Sequence, residues 1–281
     1  MVSKATSFFW YDLETFGLNP FFDRIAQFAG QRTDLDLNPI GDPVILYCKL
    51  SADYVPDPKA CLVTGITPQV VKEKGIPESE FIEKINKLLG YEGTCACGFN
   101  TLRFDDEFVR NALYRNFIDP YEREYKNHCS RWDIIDLVRA CHDLRPQGIK
   151  WPSPNEKGNP VFKLTEITAA NGIEQIGAHD AMVDVNATID VARLIKQRQP
   201  KLFDYYFSLR DKVKVKNLLD TQTIPKALLH TSVNFTNPCG CTSLIVPITP
   251  HVRKEGTIVC FDLSKDPSEL LNCDSKDVIH C

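Results

Sequence analysis

The sequence predicts an α/β domain, with a mixed sheet flanked by helices, followed by a small β unit. Strand-like and helix-like segments are interleaved up to Gln199, which is the pattern of an α/β domain. Short strand-like runs separated by Pro and Gly follow from Leu228 onward. The 281 residues fit one large domain or one domain with an appendage, since a domain has about 150 residues. We therefore expect two units, residues 1–199 and 200–281.

The first strands should form an antiparallel start to the sheet, because extended runs cover 7–13, 24–33 and 43–50 in succession. A loop is expected around Pro56 and Pro58. Apolar residues at helical spacing then predict helices over 68–74, 78–89, 163–170 and 180–199. Another helix should start at a cap on Asn100 or Thr101 and end near Phe117. The remaining predicted elements are a strand at 94–99, a short strand running into a helix at 132–141, a loop at 146–160, and strands within 228–235, 243–248 and 257–263.

Composition excludes several classes of protein. Hydrophobic residues make up 43% of the chain and charged residues 25%, which argues against disorder and against a collagen or coiled-coil rod. The formal net charge of -4 excludes a polycationic coat, so contact with nucleic acid would need a local basic surface or metal ions. Only four consecutive apolar residues precede Asp12, and no run approaches the roughly 18 of a membrane helix. We therefore expect a cytoplasmic protein with no membrane association.

The eleven cysteines are scattered singly, apart from Cys95-Ala-Cys97 and Cys239-Gly-Cys241. This arrangement predicts reduced and mostly buried thiols. A zinc site on Cys239 and Cys241 is a minor alternative, because no second pair lies at zinc-finger spacing. The run from 193 to 216 holds eight Lys or Arg and two Asp. It is either a solvated helix face or a track for phosphate groups.

Two carboxylates at the end of the first strand predict a metal site. Asp12 and Glu14 are two residues apart, so their side chains leave the same face of the sheet roughly 7 Å apart. They repel each other unless a cation lies between them, and carboxylate oxygens favour Mg²⁺ or Mn²⁺. The alternative is a pair of solvent-facing acids at a turn.

Two later segments supply further acids and a histidine. Asp105 lies just inside a predicted helix start, where the alternative role is an acid favoured by the helix dipole. Asp184 lies one turn into the helix predicted from Asp180, and His179 precedes that helix. A histidine beside a carboxylate-metal cluster can act as general base for water. Four acids and one histidine from three segments therefore predict a hydrolytic metal centre.

These motifs resemble those of a known family, the DnaQ-like 3′→5′ exonucleases of the DEDD type with a histidine in the last motif. D-x-E matches at Asp12 and Glu14, F-D-x-x-F at Asp105, and H-x-x-x-x-D at His179 and Asp184. Longer stretches resemble the bacterial exonuclease I branch of that family, among them YDLETFG, RFDDEFVRNALYRNFIDPY, SRWDIIDLVRAC and ANGIEQIGAHDAMVDVNATI. The resemblance spans 7 to about 205.

The resemblance implies a ribonuclease H-like (DnaQ-like) fold and hydrolysis of single-stranded DNA from its 3′ end to 5′-mononucleotides. Two Mg²⁺ ions, replaceable by Mn²⁺, would be held by the four acids, with His179 as the base. Substrate would also contact Glu14 and six further residues that match strand-binding positions: Arg110, Tyr121, Tyr125, Arg139, Arg145 and Lys163. Tyr125 stands where the family has tryptophan and Lys163 where it has arginine.

In the family, an SH3-like barrel and a helical domain follow the exonuclease domain, so the region 200–281 should be a partial SH3-like unit. The resemblance implies a monomer that acts in DNA repair and binds the tail of single-strand binding protein through its last domain. Three alternatives stay open. They are an RNA or proofreading exonuclease with the same five residues, a single-strand binder with little activity, and a structural protein whose acids are ordinary surface groups.

Overall fold

The computed structural model describes residues 5–175 and 180–272 of the chain. Its strands are β1 Ser7–Thr15, β2 Ile25–Thr33, β3 Val44–Tyr47, β4 Thr94–Gly98, β5 Ser130–Asp133, β6 Leu228–Thr231, β7 Thr242–Pro250 and β8 Ile258–Asp262. Its helices are α1 Pro58–Thr64, α2 Pro68–Lys74, α3 Glu78–Leu89, α4 Asp105–Arg115, α5 Ile135–Leu144, α6 Leu164–Asn171, α7 Ala181–Arg198, α8 Pro200–Ser208, α9 Lys212–Leu218 and α10 Ser268–Asn272. Two sheets organise these elements.

The larger sheet is mixed and has the strand order β3-β2-β1-β4-β5. β1 pairs antiparallel with β2, which pairs antiparallel with β3, while β4 and β5 run parallel to β1. The predicted antiparallel start and the mixed sheet flanked by helices are both confirmed. The central position of β1 gives it buried side chains on both faces.

Alternation along β1 divides the core into two layers. Phe8 and Trp10 face a cluster made with α5, α6, α7 and α8. Phe9 and Tyr11 face the opposite cluster, made with α3 and α4. Because side chains alternate along a strand, the residues after Trp10 at even positions continue towards α7. The alternation therefore places Asp12 and Glu14, the metal-site candidates on β1, on the face that packs against α7.

Several predicted elements agree with the structure, and two do not. Helices 68–74 and 78–89 have the predicted bounds, and the helix predicted over 163–170 is α6, which ends at a left-handed Gly172 (φ 68°). The predicted cap at Asn100 or Thr101 is wrong. Asn100 makes no capping bond, Thr101 starts a short 3₁₀ turn, and α4 begins only at Asp105. The loop expected at Pro56 and Pro58 is partly helical, because Asp57 caps α1 and Pro58 occupies its first turn.

The smaller sheet has the antiparallel order β6-β7-β8. Helix α8 precedes it but packs with the first unit, since the Phe203 ring lies 5.1 Å from that of Trp132, nearly perpendicular to it. The boundary at 199 remains a prediction. Tyr206 on α8 hydrogen-bonds Thr231, which in turn hydrogen-bonds Thr242.

Asp143 on α5 connects the two sheets. Its side chain is 5% exposed and accepts hydrogen bonds from the Cys241 N–H and the Thr242 hydroxyl, both at 2.7 Å. Burial alone would raise the pKa of Asp143, but hydrogen bonds from His142, Thr242 and Cys241 hold it below its usual value. Gly240 makes the approach possible, because a Cβ there would lie 2.3 Å from an Asp143 oxygen. One carboxylate thus fastens the β unit to α5.

We expect Asp143→Ala to destabilise the protein by roughly 2–3 kcal/mol, because it leaves buried donors without the charged acceptor. Thermal unfolding and limited proteolysis between 218 and 242 would measure the effect. Asp190→Ala is the control, since Asp190 forms a half-exposed ion pair with Arg193 on its own helix, and its loss should change stability by less than about 0.5 kcal/mol. Equal effects of the two changes would contradict the role of Asp143.

Candidate active site

Asp12 and Glu14 lie on the β1 face that points towards α7. There they meet Asp184, and one potential ligand atom from each of the three residues lies within 4.8 Å of the others. Glu14 is buried, whereas Asp12 and Asp184 are partly exposed. Within the described residues, these three carboxylates form a group that could hold a metal ion.

Helix α7 delivers Asp184 to this position. Its N-cap residue Asp180 accepts a hydrogen bond from the Met182 N–H at 2.9 Å, which fixes where the helix begins. Asp184 is in the first turn, and the buried stripe that includes Val185 and Ala192 packs α7 against the sheet. The first turn therefore projects its carboxylate over the end of β1.

Asp105 approaches from the other side of the sheet. β1 extends beyond the end of β4, which pairs with it only from Ser7 to Trp10. The Leu13 N–H on this unpaired edge donates to the Asp105 carboxylate at 3.1 Å. Asp105 is 4% exposed, and its negative charge raises the pKa of Asp12. The structure thus brings together all four predicted acids, with three in one cluster and the fourth across the strand edge.

The electrostatics of the site favour a cation. Burial, followed by the charges of Asp105, Glu14 and Asp184, raises the pKa of Asp12 well above its usual value. Burial, followed by the charges of Asp184 and Asp180, raises the pKa of Glu14 to about 8. Burial also raises the pKa of Asp105. Carboxylates with these shifts repel one another when ionised, and a divalent cation would remove that repulsion. The donor set therefore fits a hard metal ion bound by oxygen.

One residue of the site carries no signal in the sequence. The Gln175 amide donates to an Asp184 oxygen at 2.6 Å, and its own carbonyl accepts from the Thr168 hydroxyl at 2.7 Å. Gln175 follows α6 in an irregular segment, so no periodicity or motif indicates its contact with α7. Gln175 thus orients the Asp184 carboxylate and is itself held by Thr168 of α6. His179, the predicted base, lies outside the described residues.

Three predicted strand-binding residues surround a 3₁₀ turn at Glu122–Glu124. Tyr121 and Tyr125 flank it and are 54% and 63% exposed, as stacking on bases would require. Arg110 lies under Tyr121, with its guanidinium 5.1 Å from the ring centre. It also pairs with Glu107 and Glu124, so carboxylates already neutralise it.

The other three lie on or near α5 and α6. Arg139 is buried, donates to Asp136 at 2.6 Å and has an Nε without a hydrogen-bond partner. The exposed Arg145 ends α5 and donates to the Leu144 carbonyl. Lys163 precedes α6, is 75% exposed and lies 3.4 Å from Glu166. Their contacts with a strand remain predictions.

The structure also describes the basic run and nine of the eleven cysteines. In the basic run, Arg193 donates to the Leu37 carbonyl and Lys196 pairs with Asp36, so both fasten α7 to the segment after β2. The nine described cysteines are free thiols. Cys239 is exposed and Cys241 buried, and neither belongs to a metal-binding group within 5–175 and 180–272.

Across those ranges no helix is long and apolar enough to cross a bilayer.

Comparison with known proteins agrees with the fold and the site. A family model described as "Exonuclease" matches residues 9–192, and one described as "Exonuclease I SH3-like domain" matches 210–280. The chain is 48% identical over 272 residues to exodeoxyribonuclease I of Escherichia coli K12, covering 97% of this chain and 57% of that protein. It is also 48% identical over 268 residues to the Haemophilus influenzae enzyme, covering 95% of this chain and 56% of the relative.

A solved structure gives the same result. The crystal structure of E. coli exonuclease I in complex with a dA16 oligonucleotide matches with a TM-score of 0.91 and 47% identity, over 96% of this chain and 57% of that one. The chain thus spans a little over half the length of these relatives. Both units predicted from sequence have counterparts in one family, and the acids of the site lie within the matched region. The chain belongs to the exonuclease family, in the exonuclease I branch that joins this domain to an SH3-like domain.

Proposed function

We propose that the chain is a metal-dependent 3′→5′ exonuclease that degrades single-stranded DNA to 5′-mononucleotides. The observation that carries this proposal is the convergence of Asp12, Glu14 and Asp184 within 4.8 Å, in a chain that belongs to the exonuclease family. The match to exonuclease I bound to an oligonucleotide supports DNA as the substrate.

The metal we propose is Mg²⁺, with Mn²⁺ able to replace it. Asp12, Glu14, Asp105 and Asp184 would hold two ions through their carboxylate oxygens, and the raised pKa values of Asp12, Glu14 and Asp105 favour a cation there. When bound, two such ions stabilise the charge that develops on the entering and leaving oxygens of a phosphodiester.

The residues of the chain would supply the remaining functions. His179 would remove the proton from the attacking water. Glu14 would contact the substrate and Lys163 would lie near the terminal nucleotide, while Arg139 and Arg145 would contact the strand. Tyr121 and Tyr125 would stack on bases, with Arg110 beneath.

We further infer the cellular setting from the relatives. One solved structure that matches with a TM-score of 0.90 and 46% identity is described as an ExoI/SSB-Ct complex. We propose that the tail of single-strand binding protein is a partner of this protein as well. A monomer in the bacterial cytoplasm, acting in DNA repair and recombination, fits this substrate and this partner.

The first test is digestion of a 5′-labelled single-stranded DNA oligonucleotide with and without Mg²⁺. We expect a ladder shortening from the 3′ end, and a loss of at least about a thousandfold in rate for Asp184→Asn with strand binding retained, because a metal ligand is removed. Asp190→Asn, on the exposed part of the same helix, is the matched control. Duplex DNA and RNA of the same sequence complete the assay. Faster digestion of RNA would overturn the choice of substrate, and binding without cleavage would overturn the enzyme itself.

Replacement of the predicted base gives a different signature. His179→Ala should lower kcat by about 100- to 10,000-fold while Mg²⁺ binding is unchanged, since the imidazole acts on water and not on the metal. Rate measurements at saturating DNA, with Mg²⁺ binding followed by thermal stabilisation, would show this. An active His179→Ala protein would exclude the role.

The raised pKa of Glu14, about 8, predicts the pH dependence of metal binding. Without metal, the folded state keeps a proton that the unfolded chain releases near its ordinary pKa of 4.5. Stability of the metal-free protein should therefore fall as pH rises from about 4.5 to 8 and then level off. Apparent Mg²⁺ affinity should rise by up to about tenfold per pH unit over that range, because metal displaces the proton.

Melting temperature against pH, with and without Mg²⁺, measures both effects. Glu14→Gln should weaken the metal-free dependence, because the neutral amide does not titrate whereas Asp12 and Asp105 still do. If Mg²⁺ raised the melting temperature equally at pH 5.5 and pH 8, the assignment of Glu14 as a proton-displacing ligand would be wrong.

A further inference from the structure

We propose that a buried ion-pair cluster around Asp106 holds the catalytic carboxylates and the aromatic turn in one fixed arrangement, and that Arg123 is therefore a positioning residue. The Asp106 cluster consists of Tyr11, Asp106, Arg123, Glu124 and Arg131. This inference rests on the proposed exonuclease function and names a residue that none of the sequence motifs includes.

Asp106 is the centre of the cluster. One of its oxygens accepts from the Tyr11 hydroxyl at 2.7 Å and from Arg123 Nη2 at 2.7 Å. The other accepts from Arg131 Nη1 at 2.7 Å. Burial would raise the pKa of Asp106, but the charges of Arg123 and Arg131 hold it below its usual value. Asp106 is thus a charged carboxylate whose two oxygens are occupied by the protein.

Sequence neighbours connect the cluster to the metal site. Tyr11 directly precedes Asp12 on β1, and Asp106 directly follows Asp105 at the start of α4. Phe104, at the N-cap position of α4, offers no side-chain capping bond. The first turn is instead fixed by Asp105, which accepts from the Leu13 N–H, and by Asp106. Loss of a partner of Asp106 would let that turn shift relative to β1.

The same cluster connects outward to the predicted strand-binding surface. Arg123 lies in the 3₁₀ turn between Tyr121 and Tyr125, and its side chain is fully buried. Arg131 Nη2 lies 2.9 Å from Glu124, which accepts from Arg110 Nε at 2.8 Å beneath Tyr121. Two guanidinium groups, that of Arg123 fully buried and that of Arg131 partly exposed, therefore link the aromatic turn to the residue next to Asp105.

Burying charged groups carries a desolvation penalty, and even good pairing does no more than offset it. A turn at the surface therefore does not need buried ion pairs for stability. The cluster instead resembles the outer hydrogen-bonded groups that orient ligands in metal sites, whose loss typically lowers metal affinity or activity by 10- to 100-fold. Here Asp106 directly follows Asp105 at the start of α4, so its effect on the proposed ligands would pass through Asp105 and the position of α4.

The test is Arg123→Met in the full chain. Nε and Nη1 of Arg123 have no hydrogen-bond partner, so the change removes chiefly the bond to Asp106, which stays paired with Arg131 and Tyr11. We expect the Mg²⁺ concentration at half-maximal thermal stabilisation to rise by about tenfold or more, and kcat at saturating Mg²⁺ and DNA to fall by a similar factor. Arg123→Lys, which keeps the charge, should recover part of both.

Arg115→Met is the matched control. Arg115 is at the other end of α4, pairs with Glu78 on α3 at 2.7 Å and also has enclosed nitrogens without partners. It should also lower the melting temperature, by less than Arg123→Met because its ion pair is partly exposed, and leave both the Mg²⁺ midpoint and kcat within about twofold. If Arg123→Met behaved like Arg115→Met, the cluster would serve stability alone and the proposal would fail.

The outcome separates this inference from the proposed function. The Mg²⁺ midpoint is read from stabilisation of the folded protein, so it does not require nuclease activity. An inactive wild-type chain whose Mg²⁺ midpoint still shifts in Arg123→Met would refute the exonuclease and keep the positioning role. An active wild type with an unshifted midpoint would do the opposite.

Discussion

Repulsion among carboxylates is the constraint on which the rest of this structure depends. Asp12, Glu14, Asp105 and Asp184 are gathered at one end of β1, where burial and mutual charge raise the pKa values of Asp12 and Glu14. Such an arrangement persists only if the surrounding fold holds it. The packing of α7 on one face of the sheet and of α4 on the other provides that hold.

The two faces of β1 have different roles. Even-numbered residues place Asp12 and Glu14 towards α7, whereas odd-numbered Tyr11 and Leu13 face α4. Asp105 connects the faces, because it binds the backbone of β1 where β4 has already ended. Because β1 extends beyond the end of β4, its Leu13 N–H is free of the ladder on that side and donates a hydrogen bond to Asp105, the fourth acid. The same edge of the sheet carries Tyr11, through which the Asp106 cluster reaches the site.

Sequence reasoning succeeded where the signal is local and failed where it depends on tertiary pairing. The helical spacing of apolar residues predicted α3, and Asn171-Gly172 predicted the end of α6. The three acidic motifs were also recognised in the sequence. Pro58 indicated a loop although it begins a helix, because proline is compatible with both a loop and a helical first turn. The ion pairs of Asp106 were not predicted, since its partners Arg123 and Arg131 are distant in sequence. Gln175 gave no signal for the same reason.

The pairing of β1 also bears on which ions the site can tolerate. Asp12 and Glu14 stand opposite Ala29 and Gln27 of β2, so a continuous ladder sets the spacing between these two carboxylates. Asp184 comes from a separate helix and accepts a hydrogen bond from the Gln175 amide. Calcium needs metal–oxygen distances about 0.3–0.5 Å longer than magnesium does. In the proposed site, a larger ion would displace Asp184 and Asp105, which come from helices, more readily than the two carboxylates on the paired strand, so discrimination by ionic radius would depend on how firmly α4 and α7 are held.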